Sequence, residues 1–503
     1  MTKVLAIAIE SAEPSLVRRM IERNELPALR ELLSSGRWID LESTAAIGTS
    51  SVWPTFMTGE DPEVHGIYSE WCWEPATMGL SNMDGKDVEP FWKVLARSGR
   101  SVGILAVPFM PFVGVPDGFE VSDQFFPSKT NNDRSASAMA DLIAKEARNA
   151  LAHGHISVDG PEDYQHLEQL AADSLTGIKL RGKFAEALLK ESQPDLAVIV
   201  FTELHESAHC LWQMIEPDHP LYAEPLFERV GKIQPNLKEL FQEVDRQVET
   251  LIKTADDDTA ILVFSLHGMQ PARGVPTFLA PMMTEAGFSR ISEGPDRSLK
   301  QRATDLAAAV KRRTPQRLKR IYYKSLPRST VLRLATPNMM PQYDWSQTRA
   351  FPLVIEQHGS IRVNLAGREA KGIVTVEGYR EVCDQIEEWL YTLTTSDGKR
   401  LTKKVFKTAA NGEQALNRRI PDVIVHWEDA AFVSPLRLKN SSGEFHREGN
   451  RYLSQHTSEG FCILRSQGAS VEQVMPVRNL ASLITSIAGG SKQAAGKAAG
   501  SQD

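Results

Sequence analysis

The sequence predicts an α/β protein: a doubly wound, mostly parallel sheet flanked by helices, with helical cap insertions. Apolar runs of strand length recur along the chain, and helical patterns follow them. The runs are apolar throughout, as in strands buried on both faces. Residues of metal-binding type sit just after several runs, at the carboxyl ends where such sheets hold ligands.

The elements follow in order. VLAIAIE (Val4–Glu10) reads as a buried strand ending on a carboxylate. Pro14 suits a first helical turn, and Leu16, Val17, Met20 and Ile21 line one face of the helix it opens. LPALRELLSSG is a second short helix stopped by Gly36, and Trp38–Ser43 alternates as a short strand. A helix over Phe91–Ser98 precedes the apolar strand Ser101–Pro108. The stretch from about Pro127 to Leu189 is mostly helical and polar, which suits a cap over the sheet. Asp195–Phe201 and Thr259–Met269 return to the sheet, separated by a long helix over roughly Glu224–Lys253. Ser360–Glu369, Asp422–Trp427 and Gly460–Arg465 read as later strands, and Tyr379–Leu393 as an amphipathic helix. The tail at 491–503 is low in complexity and is expected to be disordered.

Composition narrows the class. With 42% hydrophobic and 24% charged residues, the chain has an ordinary globular composition. A net charge of −7 gives no reason to expect nucleic acid or an anionic membrane as a partner. No apolar stretch approaches spanning length, and no export signal is visible. Cys72, Cys210, Cys383 and Cys462 are scattered, with no CxxC pair, which favours reduced thiols and a cytoplasmic setting. Arg297–Arg333 is strongly basic and reads first as a solvated helical face, second as a lid attracting an anionic substrate.

The candidate site begins at Thr49–Ile67, TSSVWPTFMTGEDPEVHGI. Thr49 stands where a loop enters a short helix. There a hydroxyl either caps the helix or meets an anion at its N-terminus. His205 and His209, four apart after an apolar strand, project to one side of a helix, as a zinc pair does. His267 follows another strand, Glu10 closes the first, and His456 precedes a late one. Five candidate ligands at four strand ends is more than capping or core packing explains.

On these motifs the chain resembles the alkaline phosphatase superfamily, nearest its type I phosphodiesterase and nucleotide pyrophosphatase branch. IAIESAEPSL resembles the metal-binding opening strand, and Thr49 stands nine residues before the Thr58-Gly59 pair, as the nucleophile does there. TELHESAHCLW, SLHGM and SQHTSEGF fall where that family carries its Asp-x-x-x-His pair, its Asp-His pair and its final His. The resemblance implies an alkaline phosphatase-like hydrolase domain over 1–490, with caps at about 127–190 and 291–345. It also implies zinc, in one or two sites. His205, His209 and His456 would hold the metal facing the leaving group, and Glu10, His267 and the Thr49 oxygen the metal activating the nucleophile. The implied reaction hydrolyses a small-molecule phosphodiester or pyrophosphate through a phospho-threonine.

Three departures stand out. Glu10 replaces an Asp, His205 replaces another, and Leu266 stands where the second metal expects a carboxylate. Leu266 supports the alternative of an impaired relative acting as a binding or scaffold protein. Sulfate-ester or phosphomonoester hydrolysis is the other alternative. The Thr49–Trp53 stretch lacks the Pro and Arg of a sulfatase nucleophile motif, and no Arg stands there to neutralise a monoester's third oxygen. Trp53, Trp71 and Trp73 either stack on a substituent or fill the core, and His65 is expected to order the loop after the nucleophile helix.

Overall fold

The computed structural model describes residues 2–82, 88–109, 113–121, 164–215, 232–271, 278–292, 340–353, 358–432, 436–439, 444–445, 454–467 and 471–489. Residues 127–163 of the first expected cap and 293–339 of the second, with all of the basic Arg297–Arg333 stretch, and the tail at 491–503 lie outside them. The chain divides into two compact units: 1–68, 84–274 and 448–503 form the first, and 69–83 with 275–447 the second.

The first unit is built on an eight-stranded sheet. Its strands are β1 (Val4–Ile9), β2 (Arg37–Glu42), β3 (Val102–Leu105), β4 (Gly118–Val121), β5 (Leu196–Phe201), β6 (Ala260–Ser265), β9 (Glu459–Arg465) and β10 (Val474–Pro476). Between β6 and β9 in sequence, β7 (Met269–Pro271) and β8 (Ser454–His456) form a small antiparallel pair of their own. The order across the large sheet is β10-β2-β9-β6-β1-β5-β3-β4. All pairings are parallel except those of β9, which runs antiparallel to both β2 and β6.

The sheet is doubly wound because its apolar strands have two faces to cover. In β1, Leu5, Ile7 and Ile9 face one apolar layer, while Val4, Ala6 and Ala8 face the other. The first layer is closed by α1 (Pro14–Glu22), α2 (Pro27–Ser34), α5 (Tyr164–Ser192), α6 (Glu203–Leu211) and α7 (Leu237–Ile252). The second is closed by α3 (Val52–Thr58), α4 (Phe91–Arg97) and α8 (Asn479–Ile487). Pro14 and Pro27 stand in the first helical turns. Of the helix expected over roughly Glu224–Lys253, residues 224–231 lie outside the described residues, and the helix that is described starts at Leu237, where a capping box of Asn236 and Glu239 satisfies free N–H groups.

The second unit carries a four-stranded antiparallel sheet. The strand expected over Ser360–Glu369 belongs here and is shorter, Gly359–Val363. It stops because Asn364 turns its amide onto the Thr348 and Lys371 carbonyls, and Gly367 adopts φ 85°. The buried charges of this unit, Arg362, Arg368, Glu369 and Asp422, satisfy one another. Trp73 donates its indole N–H to Glu369 within this unit, so the core reading holds for it. Among the described residues, no helix is long and apolar enough to cross a membrane.

Ile7 lies fully buried in the central strand. Ile7→Ala should destabilise the first unit by about 2–5 kcal/mol and Ile7→Val by about 0.5–1.5 kcal/mol. Denaturant unfolding midpoints of the two variants check the ordering.

Candidate active site

The segment after β2 sets up Thr49. Gly48 passes so close to Tyr68 that a Cβ would lie 1.9 Å from its carbonyl oxygen, so only glycine fits there. Thr49–Ser51 then forms one tight helical turn that leads into α3. The Ser51 hydroxyl donates to the carbonyls of Gly48 and Thr44, at 2.7 and 3.0 Å, and fixes the turn from below. No side chain caps the start of either helix, so the capping role open to Thr49 is not what this segment uses. His65 behaves as expected. Its Nε2 lies 3.0 Å from the Thr55 hydroxyl, and its Nδ1 accepts the Ile67 N–H.

One turn beyond Thr49, Trp53 is buried and donates its indole N–H to Glu10 Oε1 at 3.2 Å. The same oxygen lies 3.1 Å from His205 Nδ1. Glu10 therefore links the helix that Thr49 leads into with the helix that carries His205.

That second helix, α6, buries Leu204, Ala208 and Leu211 in the core. His205 and His209, one turn apart, sit beside that apolar stripe. The back of α6 is anchored to α5. Arg181 donates to Glu203 at 2.7 Å and to the Thr202 hydroxyl at 3.0 Å, and Ser207 donates to Ser174. Across the site, β8 pairs with β7 so that His456 stands opposite Met269, two residues past His267.

The outcome is a cluster of imidazoles. One nitrogen each from His205, His209 and His456 lie within 4.8 Å of one another. The Nε2 atoms of His209 and His456 are 3.1 Å apart, and His209 Nδ1 lies 3.0 Å from the Ser454 carbonyl oxygen. Two nitrogens on a tetrahedral zinc are about 3.3 Å apart. The donor set therefore fits one such ion. The His267 ring packs edge-on against His456, with centroids 4.4 Å apart, and lies 6.2 Å from His205. Leu266 is buried in the apolar layer that contains α3 and offers no ligand.

Electrostatics suit a cation. Burial, aided by the charge of His205, pushes His209 down to about 3 and His267 to about 4. Burial and the neighbouring imidazoles hold His456 well below its ordinary range. These rings are neutral at pH 7, with a lone pair to give. Burial acts to raise Glu10, but His205, His267 and the Trp53 N–H outweigh it, so its carboxyl lies below the ordinary value and is charged.

Several contributors had no sequence signal. Glu13 accepts the Met269 N–H at 3.0 Å and the Thr457 hydroxyl at 3.2 Å, pinning the segments after His267 and His456. A Cβ on Gly268 would meet that carboxylate at 2.1 Å. The Ser265 hydroxyl accepts the Ala12 N–H and donates to the His267 carbonyl. Arg181 lies among other charged residues on a largely polar helix, and nothing in that segment marks it as the anchor of α6. Apart from Ser265 with His267, these contacts join segments that are remote in the chain, so no local spacing reveals them.

The family model described as Type I phosphodiesterase / nucleotide pyrophosphatase matches residues 4–447. No curated protein matches the sequence. Among solved structures, phosphonoacetate hydrolase from Sinorhizobium meliloti 1021, in complex with phosphonoformate, is similar in fold with a TM-score of 0.54 at 14% identity. The match covers 97% of this chain and 96% of that one. Human ectonucleotide pyrophosphatase / phosphodiesterase 5 aligns at 12% identity over 97% and 95% of the two chains, with a TM-score of 0.43.

The buried imidazoles link stability to pH. Unfolded histidines take up protons near pH 6.5, whereas folded His209, His267 and His65 do so only near 3 to 4. The stability they contribute is complete above about pH 6.5 and is lost as pH falls toward those folded values. The metal-free protein should therefore melt at progressively lower temperature from pH 7 to 5, above the carboxylate range, and His267→Asn should flatten that slope. Thermal unfolding of chelator-treated protein checks both.

Proposed function

Because this chain belongs to the type I phosphodiesterase and nucleotide pyrophosphatase family, and so to the phosphoester hydrolases, we propose that it cleaves phosphodiester or pyrophosphate bonds of a small molecule in a metal-dependent reaction with Thr49 as nucleophile. The observation that carries this is the convergence of His205, His209 and His456 on one point beside Glu10. In this reading the three imidazoles hold the ion, which is zinc by the chemistry of the donors. When bound, it supplies positive charge that stabilises a hydroxyl as its alkoxide and offsets charge on the departing oxygen.

The chain's own residues do the rest. The turn after Gly48 presents the Thr49 hydroxyl, half-buried, ahead of a helix whose next turn is fastened to Glu10. The Thr49 oxygen forms a bond to phosphorus while the bond to the leaving-group oxygen breaks. Water then attacks the phospho-threonine, returns the hydroxyl and releases the phosphate product. Burial keeps His209, His267 and His456 neutral, so they do not repel a cation. No disulfide joins the four cysteines, which supports a cytosolic setting.

A scaffold lacking activity is the competing reading, and Leu266 is the residue that favours it. The two separate on one experiment. Thr49→Ala should lower turnover of an aryl phosphodiester on the order of 10³-fold or more while the metal stays bound. His209→Ala should lose metal and turnover together. A screen including phosphomonoesters, sulfate esters and phosphonoacetate sets the substrate class. Absence of turnover on every member, with wild-type metal content near zero, would establish the scaffold.

A further inference from the structure

We infer that this centre is mononuclear, and that Glu10 is a positioning residue that orients His205 from outside the coordination sphere rather than a ligand of a second ion. The inference rests on the proposed reading of the three imidazoles as a metal site and specifies how that site is built.

Four observations carry it. The donor atoms that close to within 4.8 Å of one another, among the described residues, are those of His205, His209 and His456; Glu10 and His267 stand outside that group. Glu10 Oε1 is engaged by His205 Nδ1 at 3.1 Å and by the Trp53 indole N–H at 3.2 Å. With Nδ1–H directed at a carboxylate, His205 offers Nε2 as its lone pair, the tautomer a carboxylate–histidine–metal arrangement requires. His209 repeats the pattern with a different acceptor: its Nδ1 lies 3.0 Å from the Ser454 carbonyl oxygen, while its Nε2 faces that of His456. Finally, the position from which a second carboxylate would come holds Leu266, 2% exposed and part of the apolar layer.

His267 takes a different role in this arrangement. Its ring lies edge-on to that of His456 at 78° and its Nδ1 lies 3.3 Å from the Gly268 carbonyl oxygen, so it walls the site on the β6 side. Trp53 completes the outer shell. Its N–H holds the Glu10 carboxylate in place, and because it is one turn past Thr49, metal binding at His205 and the setting of the Thr49 helix are coupled through one carboxylate oxygen.

The test uses the full chain, stripped with chelator and titrated with Zn²⁺ and with Co²⁺. Wild type should bind one equivalent. Glu10→Gln should still bind one, about 10–100-fold more weakly, with the visible absorption of the Co²⁺ form unchanged in intensity because no ligand is lost. Trp53→Phe, which keeps the ring and removes the donor, should weaken binding in the same direction by less. Two equivalents in wild type would overturn the inference, as would loss of an equivalent or a changed Co²⁺ spectrum in Glu10→Gln. If that variant fails to fold, wild-type stoichiometry and Trp53→Phe decide. No bound metal in wild type overturns the inference and the metal-dependent reading together. One equivalent without turnover overturns the proposed reaction and leaves the mononuclear site standing.

Discussion

The site depends on the direction of the strands around β1. This strand pairs in parallel with β5 and β6, Ile9 opposite Phe201 and Ala8 opposite Phe264, and the Glu10 N–H continues the ladder to the Phe201 carbonyl. Parallel neighbours end on the same side, so Glu10, the His205 helix and His267 all leave from one edge. The antiparallel β9 reinforces this. Running the other way, with Phe461 opposite Ser265, it must begin at that edge, which brings His456 there. And β2, antiparallel to β9, runs with β6 and so ends at the same edge, where the chain leads to Thr49. A ladder of backbone hydrogen bonds thus brings five remote segments together before any side chain interacts.

What the side chains add is an electrostatic bias. Desolvation acts on every group there, and against the charged form each time. For His209, His267 and His456 nothing nearby outweighs it, so they are neutral donors. For Glu10, the His205 and Trp53 contacts on one oxygen, with His267 nearby, are enough to reverse it. Buried neutral imidazoles around a buried carboxylate form a place where a cation gains and an anion does not.

The division between what was readable in the chain and what was not follows from the range of the interactions. Strand identity was legible because a strand buried on both faces must be apolar at every position, and Val4–Ile9 and Leu196–Phe201 are, as is Ala260–Ser265 up to its last residue. The ligand-type residues were legible as types at strand ends, and His65 as a loop-ordering residue from its place before Gly66. Their supports were not. Ser454 contributes a backbone carbonyl, which any residue would supply, and Glu13 reaches partners more than 250 residues away, as Ser265 does. Trp53 was read as either a stacking platform or core, and it is core with a polar edge, because an indole can bury its ring and still donate one hydrogen bond. The second compact unit was not separable from sequence, since Ala350–Leu353 and Val423–Trp427 are short buried runs like those of the first.

Leu266 ties these points together. Along the end of β6 the side chains alternate, so Phe264 and Leu266 enter the layer containing α3, while Ser265 turns the other way to hold Ala12 and the His267 carbonyl. A carboxylate at 266 would lie in that apolar layer, and burying a charge there costs several kcal/mol unless a cation is always present to match it. Leucine removes that cost and adds apolar burial to the layer beneath the Thr49 helix. On the proposed reading of the site, Leu266 therefore denies a second metal its carboxylate and leaves the platform under the first independent of metal occupancy.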